Sequence, residues 1–114
     1  NSKYLDTASR PDQGLYAFSY QVTMVNTGRI PLKLLGRRWL LTDANGQVTE
    51  VVGEGVVGEF PYLRPGDRFE YSSRATLSTP VGTMSGSYQM LGDDGVPFDA
   101  PIGAIRLVYL KRLH

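Results

Sequence analysis

The chain has 114 residues, no cysteine, one histidine and a formal net charge of +1 from 12 basic and 11 acidic residues. This length suits one domain, spanning residues 1–114, with a single core. The absence of cysteine excludes a disulfide framework or thiolate metal site, and favours a cytoplasmic location. The balanced charge offers no basic face for nucleic acid, and no apolar run of about 18 residues predicts insertion into a membrane.

The first clear element is a strand over residues 16–24. Apolar and polar residues alternate there, so one face carries Tyr16, Phe18, Tyr20, Val22 and Met24. This period of two, with aromatic and β-branched residues, is typical of a half-buried strand.

A second strand is predicted from about Leu32 to Asp43, with a change of parity in its middle. One extra residue near Leu35-Gly36, a β-bulge, would return the later side chains to a single inward face. We expect Trp39 to be buried between two sheets. Arg37 and Arg38 must point to opposite faces, and the one that shares the Trp39 face needs an acidic or carbonyl partner.

A glycine-rich segment, Gly53-Glu54-Gly55-Val56-Val57-Gly58, follows the next strand. That strand begins near Val48, after a predicted hairpin turn at Asp43–Gly46. The spacing imitates a dinucleotide-binding G-x-G-x-x-G, which works by opening a helix onto a pyrophosphate. Pro61 and the turn at Pro65-Gly66 leave no room for that helix, so no nucleotide cofactor is expected.

Two interpretations of this glycine loop remain open. The glycines allow tight turns and close approach of strands. Alternatively, the accessible amides of such a loop form a nest for phosphate or a nucleotide. The candidate binding residues are then the three glycines, Gly53, Gly55 and Gly58, with a nearby arginine, Arg37 or Arg74.

The remaining strands are marked by alternation at Phe69 and Tyr71, at residues 84–90 and at residues 98–102. Pro97 and Pro101 place the last of these at a sheet edge. About seven to eight short strands separated by turns predict an all-β antiparallel sandwich. No helix longer than about two turns is expected.

Catalytic chemistry has little support in this sequence. The one histidine is His114, at the end of the chain, where a general base is poorly positioned. The carboxylates show no metal-binding motif, and Asp93-Asp94 alone supply too few ligands for calcium. We therefore expect neither an enzyme nor a bound metal or cofactor.

Taken together, the motifs resemble the ApaG family, also called DUF525, along nearly the whole chain. The resemblance is carried by Tyr4-Leu5, Tyr16–Tyr20, Arg38–Gly46, Gly53–Glu59, Pro65-Gly66, Phe69–Tyr71, Thr79-Pro80, Gly82–Tyr88, Phe98-Asp99 and Leu113-His114. Arg38 stands where many members carry histidine, so no histidine-based role is expected there. The segment before Tyr4 is short against the family pattern, so we expect part of the first strand to lie outside this sequence.

The resemblance implies an immunoglobulin-like or fibronectin type III-like sandwich. It also implies an association with cobalt and magnesium efflux or resistance and with diadenosine-tetraphosphate metabolism, and related domains that act as protein-interaction modules. Our first hypothesis is a non-enzymatic module that contacts a protein partner through a loop or an exposed strand edge, with a homodimer left open. The second is a small-anion site, for pyrophosphate or a nucleotide, at the Gly53–Gly58 loop.

Overall fold

The computed structural model describes residues 2–109, which form eight strands and one short 3₁₀ turn, Pro11–Gln13. No longer helix occurs in this range, as predicted, and no helix of these residues is long and apolar enough to cross a membrane. The strands are β1 (Ser2–Tyr4), β2 (Tyr16–Val25), β3 (Leu32–Asp43), β4 (Val48–Glu54), β5 (Tyr62–Leu63), β6 (Arg68–Leu77), β7 (Val81–Gly92) and β8 (Pro97–Val108).

The strands form two antiparallel sheets packed face to face. One sheet has the order β1-β2-β6, and the other has the order β4-β3-β7-β8 with β5 paired to the start of β3. Since β7 pairs with one whole side of β3, β4 and β5 follow each other along its opposite side. The predicted all-β sandwich is confirmed, and β8, with its two prolines, is at a sheet edge.

The core centres on Trp39, whose exposed fraction is 2%. Its indole meets Tyr20 of the opposite sheet edge-on at 5.5 Å between ring centroids, and Tyr88 of its own sheet at 6.3 Å. Edge-to-face aromatic pairs of this kind add to the free energy gained by burial alone. The predicted burial of Trp39 between the sheets is confirmed.

The predicted bulge lies in β3. The pairing of β3 with β7 shifts between Leu34 and Gly36, so Leu35 is the extra residue. Leu34 is fully buried before the bulge, and Trp39 and Leu41 return to the inward face after it. A second register shift occurs where Met84 and Gly86 of β7 pair with Ile105 and Ile102 of β8, which places the extra residue in β8. The sequence did not predict it.

One lateral side of the sandwich is closed and the other is open. On the closed side, Ser2 Oγ donates a hydrogen bond to the Arg106 carbonyl at 2.6 Å, and the ring of Tyr4 packs on Tyr109 at 4.3 Å. On the opposite side, β4 and β6 are the last strands of their sheets. The two candidate surfaces of this protein lie at that side and at the loop that follows β4.

Candidate functional site

The glycine loop leaves β4 at the level of the β3 bulge. The Gly55 amide donates to the carbonyl of the bulged residue Leu35 at 2.9 Å, so bulge and loop are tied together. The next side chain, Val56, is completely buried and belongs to the core cluster. The loop is therefore anchored at its base by the main chain and at its middle by an apolar side chain.

The tip of the loop is a two-residue turn with a strained residue. Val56 and Glu59 exchange main-chain hydrogen bonds of 2.9 and 2.8 Å, and the two residues between them have positive φ, 44° at Val57 and 80° at Gly58. Such a turn is of type I′, which favours Asn-Gly. A β-branched residue at positive φ is an outlier that costs about 1–2 kcal/mol. Strain of this kind is often kept at functional sites.

Arg37 lies beneath the loop and is partly buried. Its Nη1 donates to the carbonyls of Glu54 at 3.0 Å and Gly55 at 2.8 Å. Its guanidinium lies against Gly53, where an added Cβ would come within 2.7 Å of Arg37 Cζ. The prediction that the arginine on the Trp39 face finds a carbonyl partner is confirmed. Gly53 leaves room for the guanidinium in this position, and a larger residue would displace it.

The other predicted glycines have separate geometric roles. Gly55 has a φ of 59°, and an added Cβ would overlap the Glu59 carbonyl oxygen. Gly58 has a φ of 80°, but a Cβ added there would meet nothing within 4 Å. Because the amides of Gly55, Val56 and Glu59 already donate within the protein, the anion hypothesis depends mainly on the amides of Val57 and Gly58. Anion binding at this loop stays a prediction.

Arg74, the other candidate arginine, is not part of this loop. It lies on β6 and lines an open cleft of about 510 Å³ between the free edges of β4 and β6. Across this cleft are Thr49 and Val51 of β4, and the indole of Trp39 forms part of its wall. The structure thus brings Arg37 together with Gly53 and Gly55, and places Arg74 at a different surface.

The loop and the adjoining edge of β3 and β5 expose several large apolar side chains, which we call the loop patch: Leu35, Val57, Phe60 and Tyr62. Phe60 packs beside Gly55, and the carbonyl of the next residue, Pro61, accepts from the Leu34 amide at 2.9 Å. Exposed Glu54 and Glu59 flank the patch. These apolar residues were not predicted from the sequence, where only the glycines stood out, although Phe60 in a polar, proline-containing loop was a usable signal.

Tyr62 is fixed at the rim of the patch by Asp93, whose Oδ2 accepts the phenol hydrogen bond at 2.7 Å. That hydrogen bond raises the pKa of Tyr62, since the neutral phenol is the donor. Asp93 thus contacts a side chain of the loop patch. Among residues 2–109, no three histidine, cysteine, aspartate or glutamate side chains converge into a possible metal site. His114 lies outside the described residues.

Arg37 also affects the polar centre of the core. The hydroxyls of Tyr71 and Tyr88 are hydrogen-bonded there at 2.6 Å. Burial raises the pKa of Tyr71 to about 12, and burial together with the Tyr71 hydrogen bond raises that of Tyr88 further. The positive charge of Arg37 opposes both shifts. Burial has the largest effect on both pKa values, and the charge of Arg37 has a smaller one.

This architecture defines an immunoglobulin-like or fibronectin type III-like sandwich module that displays an anchored glycine loop. The model of the ApaG domain, DUF525, matches residues 6–92, and the chain belongs to this family. It is 65% identical over 111 residues to Protein ApaG of Methylococcus capsulatus, covering 97% of this chain and 88% of the relative. It is 51% identical over 113 residues to Protein ApaG of Ectopseudomonas mendocina, covering 99% and 90%.

Solved structures agree with this assignment. The crystal structure of the ApaA protein from Bordetella pertussis has a TM-score of 0.89 and 44% identity, covering 95% of this chain and 88% of that one. A protein from Archaeoglobus fulgidus, with a TM-score of 0.61 and 8% identity, shares the fold alone.

Proposed function

We propose that this chain is a non-enzymatic, cytoplasmic binding module that contacts a protein partner through the loop patch. The observation that carries the proposal is the strained turn at Val57. The loop keeps a β-branched residue at positive φ, half-exposed, on a segment whose neighbour Val56 is buried in the core. Strain retained beside a firm anchor, with an apolar side chain presented to solvent, is better explained by recognition than by stability.

The residues of the loop patch indicate what kind of surface its partner presents. Phe60 and Tyr62 are large, half-exposed aromatic side chains, the type that dominates binding energy at interfaces. Glu54 and Glu59 flank them, so the complementary surface is apolar with basic groups at its rim. Because the loop is held by Val56 and by Arg37, little conformational entropy is lost when the partner binds.

This role accommodates the family's association with cobalt and magnesium resistance and with diadenosine-tetraphosphate metabolism. A module without its own chemistry would act on those processes through the protein that it binds. The alternative, an anion site at the same loop, has less geometric support because Arg37 donates into loop carbonyls rather than outward.

The test compares two phenylalanines of similar exposure on different surfaces. Phe60 is 48% exposed in the loop patch, and Phe98 is 42% exposed on β8. Wild-type protein, Phe60→Ser and Phe98→Ser are used for quantitative affinity purification from the native host. We expect one or more proteins to be retained by wild type and Phe98→Ser and lost with Phe60→Ser. Equal retention by both variants, with normal folding, would contradict the proposal.

A further inference from the structure

The outer edge of β6 has the features of a strand that accepts another strand. Its ten residues pair with β2 without a register shift, from Tyr16↔Leu77 to Val25↔Arg68. Among the described residues, nothing pairs with its other side. Exposed sheet edges are usually protected by a bulge, a proline, charged side chains or a covering segment. The charged residues of β6, Arg68, Glu70 and Arg74, alternate along its solvent-exposed face and leave the inward-facing residues of the edge uncharged. β6 contains neither a bulge nor a proline.

The opposite sheet extends past β6 and leaves a strand position vacant. Val51 and Thr49 of β4 pair with Trp39 and Leu41 and share their inward face. They line the cleft of about 510 Å³ instead of packing under a strand of the first sheet. The cleft therefore lies beside the β6 edge and above β4, where a fourth strand of the first sheet would run.

We infer that an extended segment of a partner protein pairs with the free edge of β6 and fills this cleft. Residues of the segment opposite Ser73 and Ala75 would point inward, onto Trp39 and Val51, because those β6 side chains are small and face inward. The intervening residue lies opposite Arg74. When a peptide adds a strand to a sheet edge, main-chain hydrogen bonds supply the affinity and alternate side chains supply the specificity.

Charge complementarity selects an acidic residue opposite Arg74. Arg68, on the same strand, already pairs with Glu70 at 2.8 Å. Arg74 makes no ion pair or side-chain hydrogen bond within residues 2–109, and its charge is available at the rim of the cleft. An opposite charge directly across a strand pair stabilises the pairing. The preferred segment is therefore apolar-acidic-apolar at its centre.

The geometry favours a single strand over a second copy of this chain. In a symmetric dimer paired through its two β6 edges, the two β1-β2-β6 sheets would form one continuous sheet. The larger sheets of both copies would then lie on the same side of it. The overhanging β4 of one copy would then occupy the space of β3 of the other. A lone extended segment has no second sheet and avoids that collision. This site is separate from the loop patch, and the inference does not depend on it.

The test starts from selection of displayed random peptides of about ten residues, the length of a strand that matches β6, on the full chain. Selected peptides are measured by fluorescence anisotropy against matched variants. Val51→Lys puts a charge into the cleft, whereas Val52→Lys changes the adjacent residue of the same type on the outer face; these valines are 42% and 67% exposed. We expect Val51→Lys to weaken binding about tenfold or more and Val52→Lys less than about twofold.

A charge reversal at the rim of the cleft tests the register. Arg74→Glu should weaken the binding of an acidic peptide by about twofold to fivefold. Replacing the peptide's acidic residue with lysine should restore the affinity for this variant. N-methylation of alternate peptide amides should abolish binding in one register and spare it in the other, because only one set faces β6.

Several outcomes would overturn the inference. These are a selection without enriched peptides, equal binding to Val51→Lys and wild type, and equal weakening by Val51→Lys and Val52→Lys. Sedimentation showing a wild-type dimer that Val51→Lys dissociates would assign the cleft to a second copy instead. Thermal unfolding of each variant verifies folding, and Phe60→Ser should leave peptide affinity unchanged, which separates this site from the loop patch.

Discussion

The hydroxyls of Tyr71 and Tyr88 lie 2.6 Å apart and join the two sheets through the core. Tyr71 belongs to β6 and Tyr88 to β7, so this contact is a polar link, inside the core, between the sheet with the free edge and the sheet that carries the glycine loop. One hydroxyl donates to the other in the buried core. The nearby Trp39 Nε1 is buried without a hydrogen-bond partner among the described residues.

Removing one of the two hydroxyls should lower the free energy of unfolding by more than half as much as removing both. Tyr88→Phe or Tyr71→Phe leaves the other hydroxyl buried and unpaired, a loss of about 1–3 kcal/mol in the free energy of unfolding. The double variant leaves no orphaned group and should be less destabilised than the sum by about 1 kcal/mol. Urea unfolding of the four proteins measures this coupling, and simple additivity would contradict it.

Alkaline pH should destabilise the protein through the same pair. The pKa of Tyr71 rises from 10.0 in the unfolded chain to about 12 in the folded protein. Above the unfolded pKa, the unfolded chain loses a proton that the folded protein keeps, so the free energy of unfolding falls as pH rises. The contribution is complete below about pH 10 and lost by about pH 12. Urea unfolding at increasing pH should show a steeper loss for wild type than for the double phenylalanine variant, and equal slopes would contradict the assignment.

Truncation of Trp39 should remove much of the stability of the domain. The indole is 2% exposed and packs on Tyr20 and Tyr88, so Trp39→Ala leaves a large cavity. We expect a loss of about 3–5 kcal/mol, against a total of about 5–15 kcal/mol for a typical domain. Phe98→Ala, at an exposed position, serves as the control and should cost far less. Thermal denaturation followed by circular dichroism distinguishes the two.

Relief of the strained turn should stabilise the protein and impair partner binding. Val57→Asn creates the Asn-Gly pair that a type I′ turn prefers, and we expect a gain of about 0.5–1 kcal/mol. The same change removes an apolar side chain from the loop patch. Increased thermal stability together with loss of the partners identified with wild type is the expected result. A stable variant with unchanged binding would show that Val57 lies outside the interface.

Nucleotides should bind the glycine loop only weakly. With three of its amides already donating internally and Arg37 turned toward loop carbonyls, ATP or diadenosine tetraphosphate should bind no better than about millimolar, near −4 kcal/mol. Titration followed by loop amide shifts in NMR measures this. Saturation at micromolar nucleotide, weakened by Arg37→Gln, would favour the anion site. Gly55→Val is unsuitable as a control, since a side chain there would collide with the Glu59 carbonyl.

The strands and turns were largely readable from the sequence because their causes are local. Alternation placed Phe18 and Tyr20 on the inward face of β2, and the change of parity around Leu35 located the bulge. Gly66 has the positive φ, 86°, that a type II turn with Pro65 before it demands. Family membership was also readable, since the motifs extend along the chain and residues 6–92 match the ApaG domain.

The surfaces were decided by tertiary structure. The sequence predicted β4 as a strand, but its exposure on both faces follows from the number of strands in the opposite sheet, a non-local property. Arg37 and Arg74 were both candidates because the sequence alone could not tell which arginine lies near the glycine loop. One lies under the loop and the other lines the cleft, because β3 and β6 belong to different sheets. Local pattern determines which residues face inward, and only the packing of the sheets determines which of those remain open to a partner.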